Sequence, residues 1–498
     1  MRRLPLLVVS LIVLVLGAFG SWIGYSYTSA ELDTRGEVVF DRPLHIPPLA
    51  PSTVDEAGRR VFDLTLQNGE ADLGGDQPTP TKGINGPYLG PTLRAERGQQ
   101  VRVRVSNDLG ESSTLHWHGM HLPASMDGGP HQLVADGDTW SPTWRVDQPA
   151  ATLWYHPHLH GSTAEQVYQG LAGMFIVDDP QAEVSLPSDY GVDDVPVIVQ
   201  DVKLDGDGGL DTGAPLFSPT GMLGDRILVN GTPGPYLDVS TELVRLRLLN
   251  ASPARIYEFG LDDDRAFSQV GTDGGLLEAP DETTRVRLSP GERAEIVVAM
   301  QPGERSVLRG YPADVADGWQ ERFAGADDHL DVMELRAADE LAPSPDVPAR
   351  LAPIERLDPA DAATTRTFDL TSERSINGAG MQMDRVDQVV QLGDTEIWEV
   401  RNQHGSPHSF HVHDVQFEVL DVDGQAPPPG LAGWKDTVYV APGSRIRLIM
   451  RFTDYADPVW PYMFHCHVLD HEDSGMMGQF LVVEPGARAS GPPPDHEH

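Results

Sequence analysis

Gly98-Gln99-Gln100-Val101-Arg102-Val103-Arg104-Val105-Ser106-Asn107 alternates apolar with charged side chains, as a strand with one face on a core and the other in water must. A glycine opens it and an asparagine closes it. The design returns in Leu243-Val244-Arg245-Leu246-Arg247-Leu248-Leu249-Asn250. It returns again from Gly393 through Ile397-Trp398-Glu399-Val400-Arg401-Asn402, with the glycine-to-asparagine spacing of the first copy. The closing asparagines are 143 and 152 residues apart, a domain-sized interval. Three related all-β domains follow, at 45–185, 186–340 and 360–486, the last reached through a Pro-, Ala- and Asp-rich linker from Ala337 to Ala363. The 50 glycines and 42 prolines among 498 residues agree, since they punctuate short strands and break long helices.

A second match supports the repeat. Tyr155-His156-Pro157-His158-Leu159, followed by Gly170-Leu171-Ala172-Gly173-Met174-Phe175-Ile176-Val177, parallels Phe464-His465-Cys466-His467-Val468, followed by Gly475-Met476-Met477-Gly478-Gln479-Phe480-Leu481-Val482. Pro157 stands where the later copy has Cys466, and Leu171 where it has Met476, so both sulfur-bearing residues belong to the third domain alone. The middle domain has no histidine from residue 186 to 328 and offers no histidine-based metal site.

Composition sets outer bounds. A hydrophobic content of 40% over this length builds real cores and excludes global disorder. Lys plus Arg number 36 against 75 Asp plus Glu, and the formal charge of -39 repels nucleic acid and anionic lipid. The one cysteine, Cys466, excludes an intramolecular disulfide and leaves thiolate chemistry as its use. Residues 1–30 read as a signal peptide or, preferred here, an N-terminal membrane anchor. Leu4 to Tyr27 carry no charge, follow Arg2 and Arg3, and approach a possible cleavage site at Thr28-Ser29-Ala30. The folded part is therefore expected outside the cytoplasm. Residues 487–498 read as a disordered tail, with no specific role for His496 and His498.

Four His-x-His pairs carry the chemistry: His116 and His118, His156 and His158, His411 and His413, His465 and His467. On a strand, residues two apart face the same side, so each pair aims two imidazoles at one point. Eight polar rings shared between two related domains cannot form an apolar core without ligands to satisfy them. They are expected to hold several metal ions at the interface of domains one and three, and imidazole suits copper, zinc or iron. Cys466, between His465 and His467, points to the opposite face and defines a second site. His408, Cys466, His471 and Met476 give two imidazoles, a thiolate and a thioether, the trigonal set with a weak axial methionine that marks blue copper rather than zinc.

These segments resemble the three-domain multicopper oxidases. The closest stretches are Thr114-Leu115-His116-Trp117-His118-Gly119, Trp154-Tyr155-His156-Pro157-His158, His408-Ser409-Phe410-His411-Val412-His413 and His465-Cys466-His467-Val468-Leu469-Asp470-His471-Glu472-Asp473. Asn85-Gly86, Leu89-Gly90-Pro91, Asp127-Gly128-Gly129-Pro130 and Gly433-Trp434-Lys435-Asp436-Thr437 extend the likeness over nearly the whole folded chain. It is greatest toward bacterial cuprous oxidases, bilirubin oxidases and spore-coat laccases, whose domains are cupredoxin-like Greek-key β-sandwiches. The resemblance implies four copper ions. His408, Cys466, His471 and Met476 would hold type 1 copper and His116 and His411 type 2. His118, His156, His158, His413, His465 and His467 would hold the type 3 pair. It also implies that electrons pass through Cys466 and that Asp127 and Glu472 relay protons while dioxygen becomes water.

The family's cuprous oxidases carry a Met-rich insertion in domain three, with an acid and a methionine just before the type 1 histidine. Here the insertion is absent, the segment before His408 is Gln403-His404-Gly405-Ser406-Pro407, and Met381 and Met383 are the nearby methionines. The resemblance therefore favours a monomeric laccase-like oxidase of phenols, aromatic amines or bilirubin-like molecules over a cuprous or other metal-ion oxidase of copper tolerance. A related cell-division scaffold keeps the fold but has lost its copper ligands, whereas this ligand set is complete. A copper nitrite reductase has a shorter two-domain chain that lacks four His-x-His pairs.

Overall fold

The computed structural model describes residues 4–182, 184–215, 217–313, 315 and 318–491, with the side chains of residues 4–12 left out. The chain is all-β and its strands form six sheets, which pair into three cupredoxin-like sandwiches. Each sandwich encloses its own apolar cluster, built around Trp117 in the first, Phe259 in the second and Trp398 in the third.

The three repeated strands occupy equivalent places. Gln100–Asp108 pairs parallel with Arg60–Ala71, Leu243–Asn250 with Asp194–Val202, and Thr395–Asn402 with Ala362–Ser372. The closing asparagines do the same work in all three, and each is buried. The Nδ2 group of Asn107 donates to the carbonyls of Glu111 and Val134 at 2.8 and 2.7 Å, while its Oδ1 accepts from the Leu109 N–H at 3.0 Å. Asn250 binds Arg255, Leu288 and Ser252 in the same way, and Asn402 binds Ser406, Val440 and His404. A short amide that satisfies its own turn and a neighbouring strand at once explains why the pattern ends on this residue.

The histidine-bearing sheets also match in order. In the first sandwich Leu93–Glu96, Gly173–Asp178, Ala151–His156 and His116–His118 lie side by side. In the third the order is Gln388–Gln391, Met477–Val483, Tyr462–Cys466, His408–Val412 and Thr437–Val440. The first pairing is parallel in both.

Three features depart from simple sequence order. Arg42–Pro43 precedes the first sandwich yet pairs with Pro235–Tyr236 of the second. Strand Leu330–Ala342 runs into the stretch read as linker, because its last residue still pairs with Thr241. Helix Leu4–Thr28 covers most of the leader region. Among the described residues no helix is long and apolar enough to cross a membrane, and much of the stretch that suggested an anchor lies at residues 4–12, outside the described side chains. Most of the expected tail, including His496 and His498, also lies outside the described residues.

Replacing Asn250 by alanine orphans the buried N–H of Ser252 and two carbonyls. It is expected to lower unfolding stability by about 1–3 kcal/mol, measured by urea denaturation, whereas the exposed Gln301→Ala should fall within about 0.5 kcal/mol of the parent.

Candidate metal centre

Strand register assembles the histidines. His116 lies directly opposite His156 across one antiparallel pair, and His411 lies opposite His465 across the equivalent pair in the third sandwich. His118 follows two residues on within strand His116–His118, as the alternation of strand faces requires, whereas His158, His413 and His467 lie just past the ends of their strands. All eight paired imidazoles are buried. Their ligand nitrogens gather into overlapping groups, each within 4.8 Å: His116 with His118 and His156, His116 with His411 and His413, and His158 with His413 and His465. His467 joins through its Nε2, 3.4 Å from that of His156.

Outward contacts of the rings decide which nitrogen faces inward. His116 Nδ1 donates to the Asp127 carbonyl at 2.9 Å and His411 Nδ1 to the Asp436 carbonyl at 2.8 Å. Both rings then turn a buried Nε2 without a hydrogen-bond partner to the centre. His413 Nδ1 donates to Asp127 Oδ2 at 2.7 Å, His156 Nδ1 to the Pro157 carbonyl at 2.8 Å, and His118 Nε2 to Asp436 Oδ1 at 3.0 Å. Glu472 lies 3.1 Å from His465 Nδ1 and 3.4 Å from His158 Nδ1. The inward nitrogens face one another at 3.3 Å for His118 with His156, 3.1 Å for His158 with His465 and 3.2 Å for His413 with His465. Neutral rings that keep their protons on the outer nitrogen meet there as lone pairs, and cations are what such a donor set fits.

Electrostatics agree. Burial, followed by mutual repulsion of the rings, holds His118, His156, His411, His413 and His467 well below the ordinary imidazole range, and burial brings His158 down to about 3 despite the neighbouring Glu472. Burial alone would raise Glu472, but His158 and His465 overcome it and hold that carboxyl at about 2. Those six imidazoles are thus unprotonated, with the ionised Glu472 behind His158.

Asp127 and Asp436 join the two sandwiches in a crossed pattern. Each offers its main-chain carbonyl to a histidine of its own sandwich, His116 or His411, and its carboxylate to one of the other, His413 or His118. Gly128 lets the first turn press against its strand: at φ +79° its Cα is so close that a Cβ would stand 1.8 Å from the Leu115 carbonyl. The second sandwich locks the other arm. Arg293, fully buried, donates two hydrogen bonds to Asp436 at 2.7 and 2.6 Å and a third to the Thr152 carbonyl of the first sandwich at 2.9 Å. Lys435 beside it pairs with Asp273 at 2.8 Å and Glu292 at 3.0 Å.

The second site lies on the opposite strand face, as expected. Cys466 stands across from Phe410, not from a cluster histidine. Its Sγ is 3.5 Å from His408 Nδ1 and 3.6 Å from His471 Nδ1. His471 Nε2 donates to the Pro219 carbonyl at 2.9 Å, which leaves Nδ1 as the ligand atom. Met476 is fully buried, and its carbonyl accepts from the Cys466 N–H at 3.1 Å while its N–H donates to the His471 carbonyl at 2.9 Å. Burial pushes the Cys466 thiol up to about 12, so a bound cation is what would make it a thiolate.

The structure brings together every histidine of the four pairs, with Asp127 and Glu472 at their edge, and sets His408, Cys466 and His471 side by side. Among the described residues, no group able to hold a metal falls in residues 186–340. Asp436 and Arg293 were missed. The Gly433–Thr437 motif drew attention to Asp436 without giving it a role, and Arg293 lies in the histidine-free domain. His121, outside the four pairs, lies 2.8 Å from Asp414 and 3.3 Å from Asp454. Arg293→Met leaves Asp436 buried without its cation, and the expected loss is about 3–5 kcal/mol in chemical denaturation, larger than for Arg305→Met at an exposed pair.

Comparisons with known proteins place these sites in context. Family models described as multicopper oxidase match residues 65–182 and 347–486. A multicopper oxidase of Staphylococcus haemolyticus is 33% identical over 462 residues, covering 90% of this chain and 93% of that protein. The cell division protein FtsP of Salmonella typhimurium is 37% identical over 449 residues, covering 89% and 93%. Among solved structures, the laccase-like multicopper oxidase CueO of Ochrobactrum sp., described with oxidase activity towards lignin model compounds and lignosulfonate, aligns with a TM-score of 0.81 at 36% identity, covering 89% of this chain and 100% of that one. With its strand order, paired histidines and single cysteine site now in view, this chain belongs to the multicopper oxidase family.

Proposed function

We propose that this protein is a laccase-like oxidase that takes single electrons from phenols, aromatic amines or bilirubin-like molecules and passes them to dioxygen, which leaves as water. The observation that carries this reading is the complete donor set: eight buried imidazoles, six of them with a ring nitrogen turned outward onto a carbonyl or carboxylate, backed by Cys466 on the reverse of the same strand as His465. His408, Cys466, His471 and Met476 are assigned to type 1 copper, and His116 and His411 to type 2. His118, His156, His158, His413, His465 and His467 are assigned to the type 3 pair. Bound copper supplies the one-electron redox chemistry and the handling of dioxygen.

The chain's own residues do the rest. The backbone of His465-Cys466-His467 links the electron-accepting site to the cluster by the shortest covalent route in the sequence. Buried Asp127 and Glu472 are assigned to the proton path as carboxylates that take up a proton and pass it on, because the neutral ligand rings have none to give. The histidine-free sandwich positions the others through Arg293. A metal-ion oxidase of the same family is less favoured, since the segment before His408 has no methionine. Similarity to FtsP raises a second reading, a structural role in cell division, and the intact donor set is the feature that argues against it. Export outside the cytoplasm through the N-terminal segment, a possible membrane tether and a monomeric state complete the proposal.

Three variants test the assignments. Cys466→Ser should abolish blue absorption and reductant oxidation while copper stays on the paired histidines; a variant that remains blue refutes the type 1 assignment. Glu472→Gln and Asp127→Asn should keep copper and colour and still accept electrons, yet slow stopped-flow reoxidation by dioxygen by about 10²–10⁴-fold. Parent rates in both would remove them from the proton path, and lost copper would recast them as supports for the histidine rings.

A further inference from the structure

The apolar N-terminal helix is fastened to the body with almost no slack. It ends at Thr28, and from Leu32 onward the backbone is pinned to the second sandwich. Leu32 N–H donates to Asp328 at 2.8 Å, Thr34 N–H to the His329 carbonyl at 2.8 Å, and Gly36 N–H to Asp331 at 2.9 Å. Arg322 pairs with Glu31 and lies 5.0 Å over the Tyr27 ring. A membrane that held this helix would hold the body in one orientation.

The face so oriented is aromatic. Trp22 of the helix meets Phe217 at 5.9 Å between ring centres, Phe217 meets Trp319 and Phe323 at 5.5 Å each, and Tyr27 meets Phe323 at 6.1 Å. Trp319 is 51% exposed, and on the helix Phe19, Trp22 and Tyr25 are exposed as well. Tryptophan and tyrosine at the end of an uncharged stretch are the side chains that settle at a membrane–water boundary.

Phe217 also opens the strap that covers the electron-accepting site. It sits at φ 71°, a costly backbone for a bulky residue. Two residues on, the Pro219 carbonyl accepts from His471 Nε2 at 2.9 Å. At Gly221, φ +99°, an added Cβ would stand 2.5 Å from the Asp470 Cβ, so the strap is pressed onto the segment that bears His471. One short run of chain therefore touches both the helix aromatics and the outer nitrogen of His471. With that nitrogen engaged by a carbonyl, a metal-ion reductant cannot coordinate there, whereas an organic molecule can pass electrons across the strap by contact alone.

We propose that the face formed by Trp22, Phe217, Trp319 and Phe323 rests on the bilayer and turns the His471 edge toward it, so that the reductant is a hydroquinone dissolved in the membrane. This rests on the reading of His408, Cys466 and His471 as the electron-accepting site. Each hydroquinone breaks its two O–H bonds and becomes a quinone, losing two electrons and two protons. Two hydroquinones thereby supply the four electrons and four protons that convert one dioxygen to two waters.

The test uses the copper-loaded full chain in phosphatidylcholine vesicles, with oxygen uptake followed on an alkyl-tailed hydroquinone in the bilayer and on water-soluble hydroquinone sulfonate. Inserting about twelve Gly/Ser residues between Ser29 and Ala30 adds about 20 Å of flexible reach and frees the orientation without touching either site. The insertion variant should still sediment with vesicles and oxidise the sulfonate at the parent rate, yet lose about tenfold on the tailed hydroquinone. Trp319→Ser should lower the ratio of tailed to water-soluble turnover in the same direction. Equal rates on the tailed hydroquinone in parent and insertion variant, or a parent chain that fails to sediment, would overturn the proposal. Absence of uptake with both reductants would instead refute the oxidase reading beneath it.

Discussion

Two aspartates decide the geometry of this molecule. Asp127 and Asp436 each hold one histidine of their own sandwich by a main-chain carbonyl and one of the opposite sandwich by a carboxylate. The crossed pattern couples the tautomer of four rings to the docking of two domains. Were the sandwiches to separate, His413 and His118 would lose their acceptors and the inward nitrogens would no longer converge. The centre is thus a property of the interface and cannot form in either sandwich alone.

Such an arrangement buries charge, and buried charge is destabilising unless it is fully paired. Arg293 meets that need for Asp436 with two short hydrogen bonds, and Lys435, Asp273 and Glu292 extend the network. This gives the middle sandwich a purpose that its lack of histidines conceals. It contributes the cation that neutralises an acid behind the cluster, and through the Thr152 carbonyl the same side chain reaches the first sandwich. One guanidinium touches all three sandwiches.

The sequence made much of this legible because strand geometry is strict. Alternation along a strand put His116 and His118 on one face and set Cys466 opposite Phe410 while its neighbour His465 meets His411, whereas His158, His413 and His467 lie just past the ends of their strands. The recurring asparagine was readable as a repeat marker, and its identical hydrogen bonds in the three sandwiches give the physical reason. What escaped was long-range. Nothing near Arg293 or Asp436 in the chain announces that they meet across 143 residues. Nor does the sequence around Pro219 show that its carbonyl will cap His471, since a main-chain oxygen leaves no mark of residue type. Arg42–Pro43 joined a later sandwich for a similar reason: edge pairing depends on which strand end stands open in the folded body.

The proposed chemistry requires that the crossed aspartates and the Cys466 face prepare two kinds of copper site in one chain. Copper content and electron paramagnetic resonance of the purified, copper-saturated full chain test this most directly. The expected result is roughly four copper ions per chain, with one signal of the narrow, thiolate-bound kind and one of the ordinary kind, the remaining pair being silent through coupling. A chain that binds no copper, or gives only signals without thiolate character, would contradict it.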